Sequence, residues 1–595
     1  MSKAPRSASP VALLRAELKR RKLTGFIIPR QDEFQGEYVA PYAERLRWLT
    51  GFAGSWGMAI LTQTKGAIFV DGRYTIQVRQ QVDAKTFVPQ HLVDEPPTAW
   101  IAKTLKKGDT LGFDPWLTTA NEAKRLSDAC AKVGARLVPV TANPIDAIWA
   151  DQPARPTAAI TSQPTQFAGK SAADKVVEIA KALGTADAVV LTQPDSVAWL
   201  LNLRGFDVPY TPVVAAYAIL PRKGKAQLFI DAAKVPEDVH DHLKRVAIVR
   251  QPSEITAALK ALGKAKATVQ LDPVWTPDAI QAALTAAKAK VVHAPDPCIL
   301  PKARKNSVEQ EGARAAQRRD GAAMARFLHW LEKTAPGGLT ELSVAEKLGT
   351  FRKATGQLMD LSFGAISGAG PNAAIPHYHV TEESSRPLKQ DEIFLIDSGG
   401  QYQDGTTDIT RTVIIGEPTE EMKDRFTRVL KGMINLSRIR FPKGTCGSQI
   451  DVLARQSLWM AGLDYDHGTG HGVGSYLSVH EGPARINKAD RTPLEPGMIL
   501  SNEPGFYKQG HYGIRIENLL LVQEATAIAR GERPMFGFET LTLCPIDRRL
   551  VDTRLMTRDE LTWLDAYHAR VLDELSGLLT GSDVEWLKAA CAPLS

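Results

Sequence analysis

Five side chains of metal-ligand type, Asp397, Asp408, His471, Glu503 and Glu517, fall within the last 200 residues of this 595-residue chain, each in a short motif of its own. The aspartates lie in IDSGGQYQDGTTDITRT, the histidine in HGTGHGVG, and the glutamates in SNEPGFY and GIRIEN. Gathered in one place, four carboxylates and a neutral imidazole carry −4, and like charges that close cannot all stay ionised without a cation among them. Two divalent ions neutralise the set. Oxygen-rich ligation favours hard ions while one imidazole admits Mn, Fe, Co or Zn, so Mn2+ is the best compromise. A pair of ions ~3.5 to 4 Å apart can hold a bridging hydroxide, which points to a two-metal hydrolase.

Taken singly, each carboxylate also reads as a surface group at a turn or strand end. Their neighbours argue otherwise. Asp397 ends the apolar run Ile393 to Ile396 and Glu503 follows Met498, Ile499 and Leu500, so both emerge from buried strands. Glu517 alternates with Ile514 and Ile516 and shares a strand face with Arg515. If Asp404 and Gly405 form a two-residue hairpin turn, Gln401 pairs with Asp408, and Asp397 lies four residues away on the same face. At about 3.3 Å per residue the two aspartates are then roughly 13 Å apart, so a bulge at Gly399 and Gly400, or a wider loop, has to close the gap. In HGTGHGVG, His467 and His471 are four apart, as in a helical zinc motif, but four glycines oppose a helix. A glycine-rich loop or strand end lets the backbone approach the metals closely.

These motifs resemble the pita-bread metallopeptidases over about the last 290 residues, and nearly the full chain resembles the cytosolic three-domain aminopeptidase P (Xaa-Pro aminopeptidase) family. The resemblance implies that Asp397, Asp408, His471, Glu503 and Glu517 ligate a dinuclear, usually manganese, centre. It also implies that His377 in IPHYHV, His467 and His480 in VHEGP surround the scissile bond and the proline ring, with His379 a bystander, and that Tyr507 and Arg515 support the site by hydrogen bonding. From the residues alone His377 and His379 are indistinguishable, since two residues apart on a strand they share a face. The implied reaction is hydrolysis between an N-terminal residue and a penultimate proline in short peptides, with Glu503 as proton shuttle and a homodimer as the assembly. Competing readings are a dipeptide-cleaving prolidase, a methionine aminopeptidase and a catalytically silent pita-bread peptide-binding protein.

The elements that must carry these residues divide into three regions, 1–150, 151–302 and 303–595. In the first, an amphipathic segment from Val11 to Leu23 precedes the strand GFIIP and the phrase WLTGFAGSWGMAILTQTKGAIFVDGRY, a turn and two strands. The second repeats the plan with the helical ADKVVEIAKAL, the strands AVVLT and AYAIL, a PRKGK turn and QLFIDAAKV. Two related creatinase-like α/β modules therefore precede a pita-bread catalytic domain, an α/β (α+β) architecture. Asp151 to Lys170 has linker composition and a second break falls near Pro295 to Asn306. A capping box from Ser307 to Gln310 opens the catalytic domain, and another, Thr557 to Glu560, starts a C-terminal helix expected only to pack.

Composition adds exclusions. A net charge of +7 is small for this length, the run Lys19 to Lys22 closes an exposed helix, and no nucleic-acid signature is present. Five scattered cysteines form neither a disulfide framework nor a zinc knuckle, and fit a reducing compartment. With no hydrophobic leader and no run of ~18 apolar residues, the sequence reads as a soluble cytoplasmic protein with no membrane partner.

Overall fold

A computed structural model describes residues 9–595; residues 1–8 of the expected first region lie outside the described residues. The chain divides into two compact units, the first essentially Met1–Cys298 and the second Ile299–Ser595 with two short upstream pieces, Gln163–Gly169 and Tyr210–Pro212.

The first unit holds two six-stranded mixed sheets with one topology. In spatial order the strands are Val88–His91, Gly66–Val70, Met58–Thr62, Gly25–Pro29, Thr110–Phe113 and Arg136–Pro139 in one sheet. In the other they are Ala247–Arg250, Ala226–Phe229, Tyr217–Pro221, Ala188–Leu191, Thr268–Leu271 and Lys290–His293. In each sheet a central antiparallel three-strand meander is flanked by parallel partners, as the repeated sequence plan requires. The helix Pro10–Arg20 ends in the basic run, where Arg20 and Arg21 both pair with Glu17. Arg45 is buried against Asp146 and Arg47 is exposed.

The second unit opens with α1, Ser307–Thr334. Its cap is Asn306, one residue before the predicted box: Asn306 Oδ1 accepts from Val308 N and Glu309 N, and Glu309 Oε2 accepts from Asn306 N. Either residue could cap; Asn306 is the one whose backbone is still extended. One small sheet orders β1 (Ile366–Ala369), β2 (Glu392–Ser398) and β5 (Ile409–Ile415), with β3 (Gly400–Tyr402) and β4 (Gly405–Thr406) forming the hairpin between β2 and β5. The helices α2 (Glu420–Arg438) and α3 (Gly447–Trp459) follow. A five-stranded sheet then orders β7 (Glu481–Ile486), β6 (Gly470–Gly472), β8 (Ile499–Asn502), β11 (Asn518–Thr526) and β12 (Met535–Thr540). The hairpin of β9 (Gly505–Lys508) and β10 (Tyr512–Arg515) lies between β8 and β11 in sequence, and α4 (Arg558–Ser576) starts at the Thr557–Glu560 capping box as predicted.

Alternation in β2 and β5 decides what faces the site. Phe394 and Ile396 of β2 pair across the ladder with Val413 and Arg411 of β5, and Phe394, Ile396, Ile409, Val413 and Ile415 join an apolar core with Met324, Phe327 and Leu331 of α1. The other face carries Leu395, Asp397, Thr410 and Thr412.

Candidate metal centre

The two aspartates meet through register rather than through a bulge. Tyr402 pairs with Gly405, so the turn is Gln403 and Asp404, not Asp404 and Gly405, and Asp397 stands opposite Thr410. That register sets Asp408 two residues, not four, along the ladder from Asp397, on the same face. Diagonal neighbours of this kind are about 7 Å apart, within reach of one ion pair. Gly399 allows it: a Cβ there would lie 2.0 Å from the Thr407 carbonyl oxygen.

The glycine-rich motif does run as loop and then strand. His471 sits in β6, and a Cβ on the preceding Gly470 would lie 2.0 Å from the carbonyl oxygen of Ser501 in β8. His471 Nδ1 is 2.9 Å from the Gly472 carbonyl, which can only accept, so the proton is on Nδ1 and the Nε2 lone pair is free to ligate. Nε2 stands 3.5 Å from Asp408 and 3.5 Å from Glu503. Glu503 follows β8, with Oε1 accepting from Ser501 Oγ at 3.1 Å and its backbone N–H donating to the Thr469 carbonyl at 2.8 Å. Glu517 lies between β10 and β11 instead of within a strand, because its N–H is drawn to the Thr410 carbonyl of β5 at 3.1 Å. Its Oε2 accepts from Thr410 Oγ1 at 2.8 Å. One donor atom each of Asp408, His471 and Glu517 lies within 4.8 Å of the others.

Asp397 Oδ2 accepts from Arg515 at 2.5 Å, while its Oδ1 is buried with no hydrogen-bond partner. An orphaned oxygen on a carboxylate that acts electrostatically on three further acids is what a cation would satisfy. The electrostatics agree. Burial first and Asp397 second push Asp408 from 3.8 up to about 8. Glu503 is raised chiefly by burial, and Glu517 well above the carboxylate range by burial and then by Asp408, Asp397 and Glu503. These residues fit a pair of divalent ions.

The supporting groups form a chain. Arg515 Nη1 donates to Tyr507 OH at 2.7 Å, and that hydroxyl is 2.8 Å from His467 Nε2. His467 Nδ1 lies 2.7 Å from the Gly468 carbonyl, so both its ring nitrogens are engaged. The His480 ring stands edge-on to His471 with centroids 4.3 Å apart. His377 and His379 are not on a strand: they lie in and just after the turn that follows the 3-10 helix Gly370–Ala374, with His377 half-buried and His379 exposed. Pro376 and the end of that short helix break the ladder the alternation argument assumed.

Sequence reasoning missed Thr410, Ser501 and the anchor beneath the glycine-rich loop. Arg455 of α3 pairs with Asp451 and donates to the carbonyls of Tyr465 and His467, and Asp451 accepts from Thr469. The alternation of Asp408, Thr410 and Thr412 in DITRT was the signal available for Thr410; nothing in sequence marked the others.

The sequence pattern of metallopeptidase family M24 matches residues 311–524 and that of the C-terminal region of peptidase M24 matches 534–594. The creatinase/prolidase N-terminal domain matches twice, at 10–148 and 151–309. The chain is 40% identical to a "Probable Xaa-Pro aminopeptidase P" of Paracoccidioides brasiliensis (strain Pb03), covering 98% of each, and 40% identical to one of Coccidioides posadasii (strain RMSCC 757 / Silveira), covering 98% of this chain and 99% of that one. A solved structure of X-prolyl aminopeptidase from Caenorhabditis elegans, described as a cytosolic enzyme with a di-nuclear active site, superposes with a TM-score of 0.94 at 34% identity over 98% of this chain and 99% of its own.

Proposed function

This chain belongs to the Xaa-Pro aminopeptidase P family within metallopeptidase family M24, and from that premise we propose roles for its residues. It is a metalloaminopeptidase that hydrolyses the bond between an N-terminal residue and a following proline at a dinuclear centre. We assign Asp397, Asp408, His471, Glu503 and Glu517 to the two divalent ions, with Mn2+ favoured by the oxygen-rich donor set. The observation that carries the assignment is the convergence of the buried Asp408 and Glu517 and the half-buried His471, whose donor atoms lie within 4.8 Å of one another. Bound there, the ions would supply a Lewis acid for the scissile carbonyl and a water acidic enough to attack at neutral pH.

The chain's own groups do the rest. Glu503, held by Ser501 and facing His471, takes the proton of the attacking water and returns it to the leaving nitrogen. Hydrogen bonding to the developing oxyanion is assigned to a neighbouring histidine, His377 or His467, the second of which also contacts the Tyr507 hydroxyl. His480, edge-on to His471, offers a flat wall to the proline ring. An Xaa-Pro amide has no N–H, so the site needs no acceptor there.

The division at 150 and 302 into two creatinase-like modules and a catalytic domain belongs to this reading, as do short peptides as substrates and a homodimer. A cytoplasmic location is supported by five buried cysteines that form no disulfide among the described residues and by the cytosolic relative. Among the described residues no helix is long and apolar enough to cross a membrane. The test compares metal-stripped protein, before and after Mn2+, on an Arg-Pro-Pro tripeptide and an Xaa-Pro dipeptide, with products identified by mass. Metal-dependent release of the first residue from the tripeptide is expected; cleavage of the dipeptide alone would make it a prolidase, and no cleavage a binding protein.

A further inference from the structure

Arg411 occupies the apolar face of β5. Its neighbours on that face are Ile409 and Val413, its partner across the ladder is Ile396, and it is 1% exposed with no carboxylate in ion-pair contact among the described residues. Burying a guanidinium is costly unless every N–H is satisfied, and here neutral acceptors do it. Nη1 forks between the carbonyls of Thr410 (2.9 Å) and Glu517 (2.7 Å), and Nε donates to the Pro545 carbonyl (3.1 Å). Nη2 reaches Asn518 Oδ1 (2.9 Å), the Cys544 carbonyl (2.8 Å) and the Tyr567 hydroxyl (2.9 Å).

These acceptors join two places. Thr410 and Glu517 shape the metal centre, the first by donating to the second's carboxylate. Pro545, Cys544 and Tyr567 belong to the C-terminal region. Tyr567 OH has one proton to share between the carbonyls of Cys544 (2.9 Å) and Thr542 (3.1 Å), which leaves its oxygen as acceptor for Arg411, and its ring stacks on Trp563 with centroids 5.4 Å apart. Glu517 lies outside both flanking strands; besides its N–H to the Thr410 carbonyl and the Thr410 hydroxyl on its carboxylate, the guanidinium fork is what holds its main-chain carbonyl, and so the base from which the carboxylate extends.

We propose that Arg411 and Tyr567 are positioning residues for the metal centre: through the guanidinium, α4 sets the spacing of Thr410 and Glu517 and thereby the geometry of the Glu517 ligand. The C-terminal helix does more than pack. This rests on Glu517 being a ligand.

The experiment titrates Mn2+ into metal-stripped full-length protein by calorimetry for the wild type, Tyr567→Phe, Arg411→Lys, Leu575→Ala and Glu517→Gln, with thermal melting of each. Leu575 is buried on the same helix and touches none of these hydrogen bonds, so its truncation lowers the melting temperature without reaching the fork. Tyr567→Phe should weaken Mn2+ binding about 10-fold, the usual cost of losing a group that orients a ligand, while Leu575→Ala binds like the wild type. Wild-type affinity in Tyr567→Phe, or equal weakening in Leu575→Ala, overturns the proposal. Glu517→Gln should lose one ion. If it keeps both, the ligand assignment falls and the coupling with it; if it loses one while Tyr567→Phe and Arg411→Lys match the wild type, only the coupling falls.

Discussion

Arg515 holds Asp397 by one carboxylate oxygen, at 2.5 Å, and leaves the other buried without a partner. The guanidinium therefore neutralises part of the acid cluster and at the same time fixes which oxygen is presented to the centre. Removing one partner of a buried pair costs about 3 to 5 kcal/mol, because the remaining charge is stranded. In the metal-loaded protein the ions compensate Asp397. We expect Arg515→Met to destabilise the metal-stripped protein by about that much and the Mn2+-loaded protein by clearly less, as read by urea unfolding of both forms. Equal losses in the two forms would show that Arg515 does not share its charge-balancing task with the metals.

Metal loading should release protons. With Asp408 raised to about 8 and Glu503 and Glu517 raised as well, the metal-free folded state binds protons that the unfolded state has lost, so its stability is full below the ordinary carboxylate range and declines as pH rises towards 8. Ions replace those protons and remove the decline. Calorimetry at pH 7 in buffers of different ionisation enthalpy should show net proton release on Mn2+ binding, and the stability gap between loaded and stripped protein should widen from pH 5 to 8. Buffer-independent heats would contradict this.

Much of this candidate site is legible in the sequence without a fold, and the reason is local. Asp397, Glu503 and His471 each end or sit beside an apolar run or a glycine cluster, and those patterns are set by neighbours in sequence. What failed was register. Moving the turn from Asp404–Gly405 to Gln403–Asp404 changes no residue's face, so parity could not detect it, yet it halves the distance between the aspartates. The setting of His377 depended on where a 3-10 helix ends, and the Arg455–Asp451 anchor and the Arg411 fork join segments far apart in the chain, on which local periodicity is silent. The repeated sheet of the first unit was legible because the sequence states it twice.

His568 on α4 gives a pH dependence separate from the metals. It is fully buried, its Nε2 accepts from the Ile546 N–H at 3.1 Å, and burial, then Arg411 and Arg548, lower it from 6.5 to about 4. Its folded state thus resists protonation, so the stability it contributes is full above about pH 6.5 and is lost as pH falls towards 4, a difference of about 3 kcal/mol. Urea unfolding at pH 7 and pH 4.5 should show a smaller acid loss in His568→Gln than in the wild type. An identical loss in both would place the acid sensitivity elsewhere.

Glu503 is the residue on which the proposed chemistry turns. It sits beside His471 Nε2 at 3.5 Å, and Ser501 Oγ fixes its Oε1, so its carboxylate is held at the centre by a neutral donor while burial keeps it above the ordinary carboxylate range. Glu503→Gln keeps an oxygen for ligation and removes the ability to carry a proton. If Glu503 shuttles the proton to the proline nitrogen, kcat should fall by at least ~10³-fold with KM little changed, since general acid–base catalysis contributes about 10² to 10⁴ and substrate binding does not need the shuttle. Ser501→Ala, which loosens the same carboxylate and removes the acceptor of the His471 backbone N–H but leaves the proton carrier in place, should lose far less. A Glu503→Gln enzyme that retains Mn2+ and turns over within tenfold of the wild type would remove Glu503 from the mechanism and require the proton to travel through one of the site histidines.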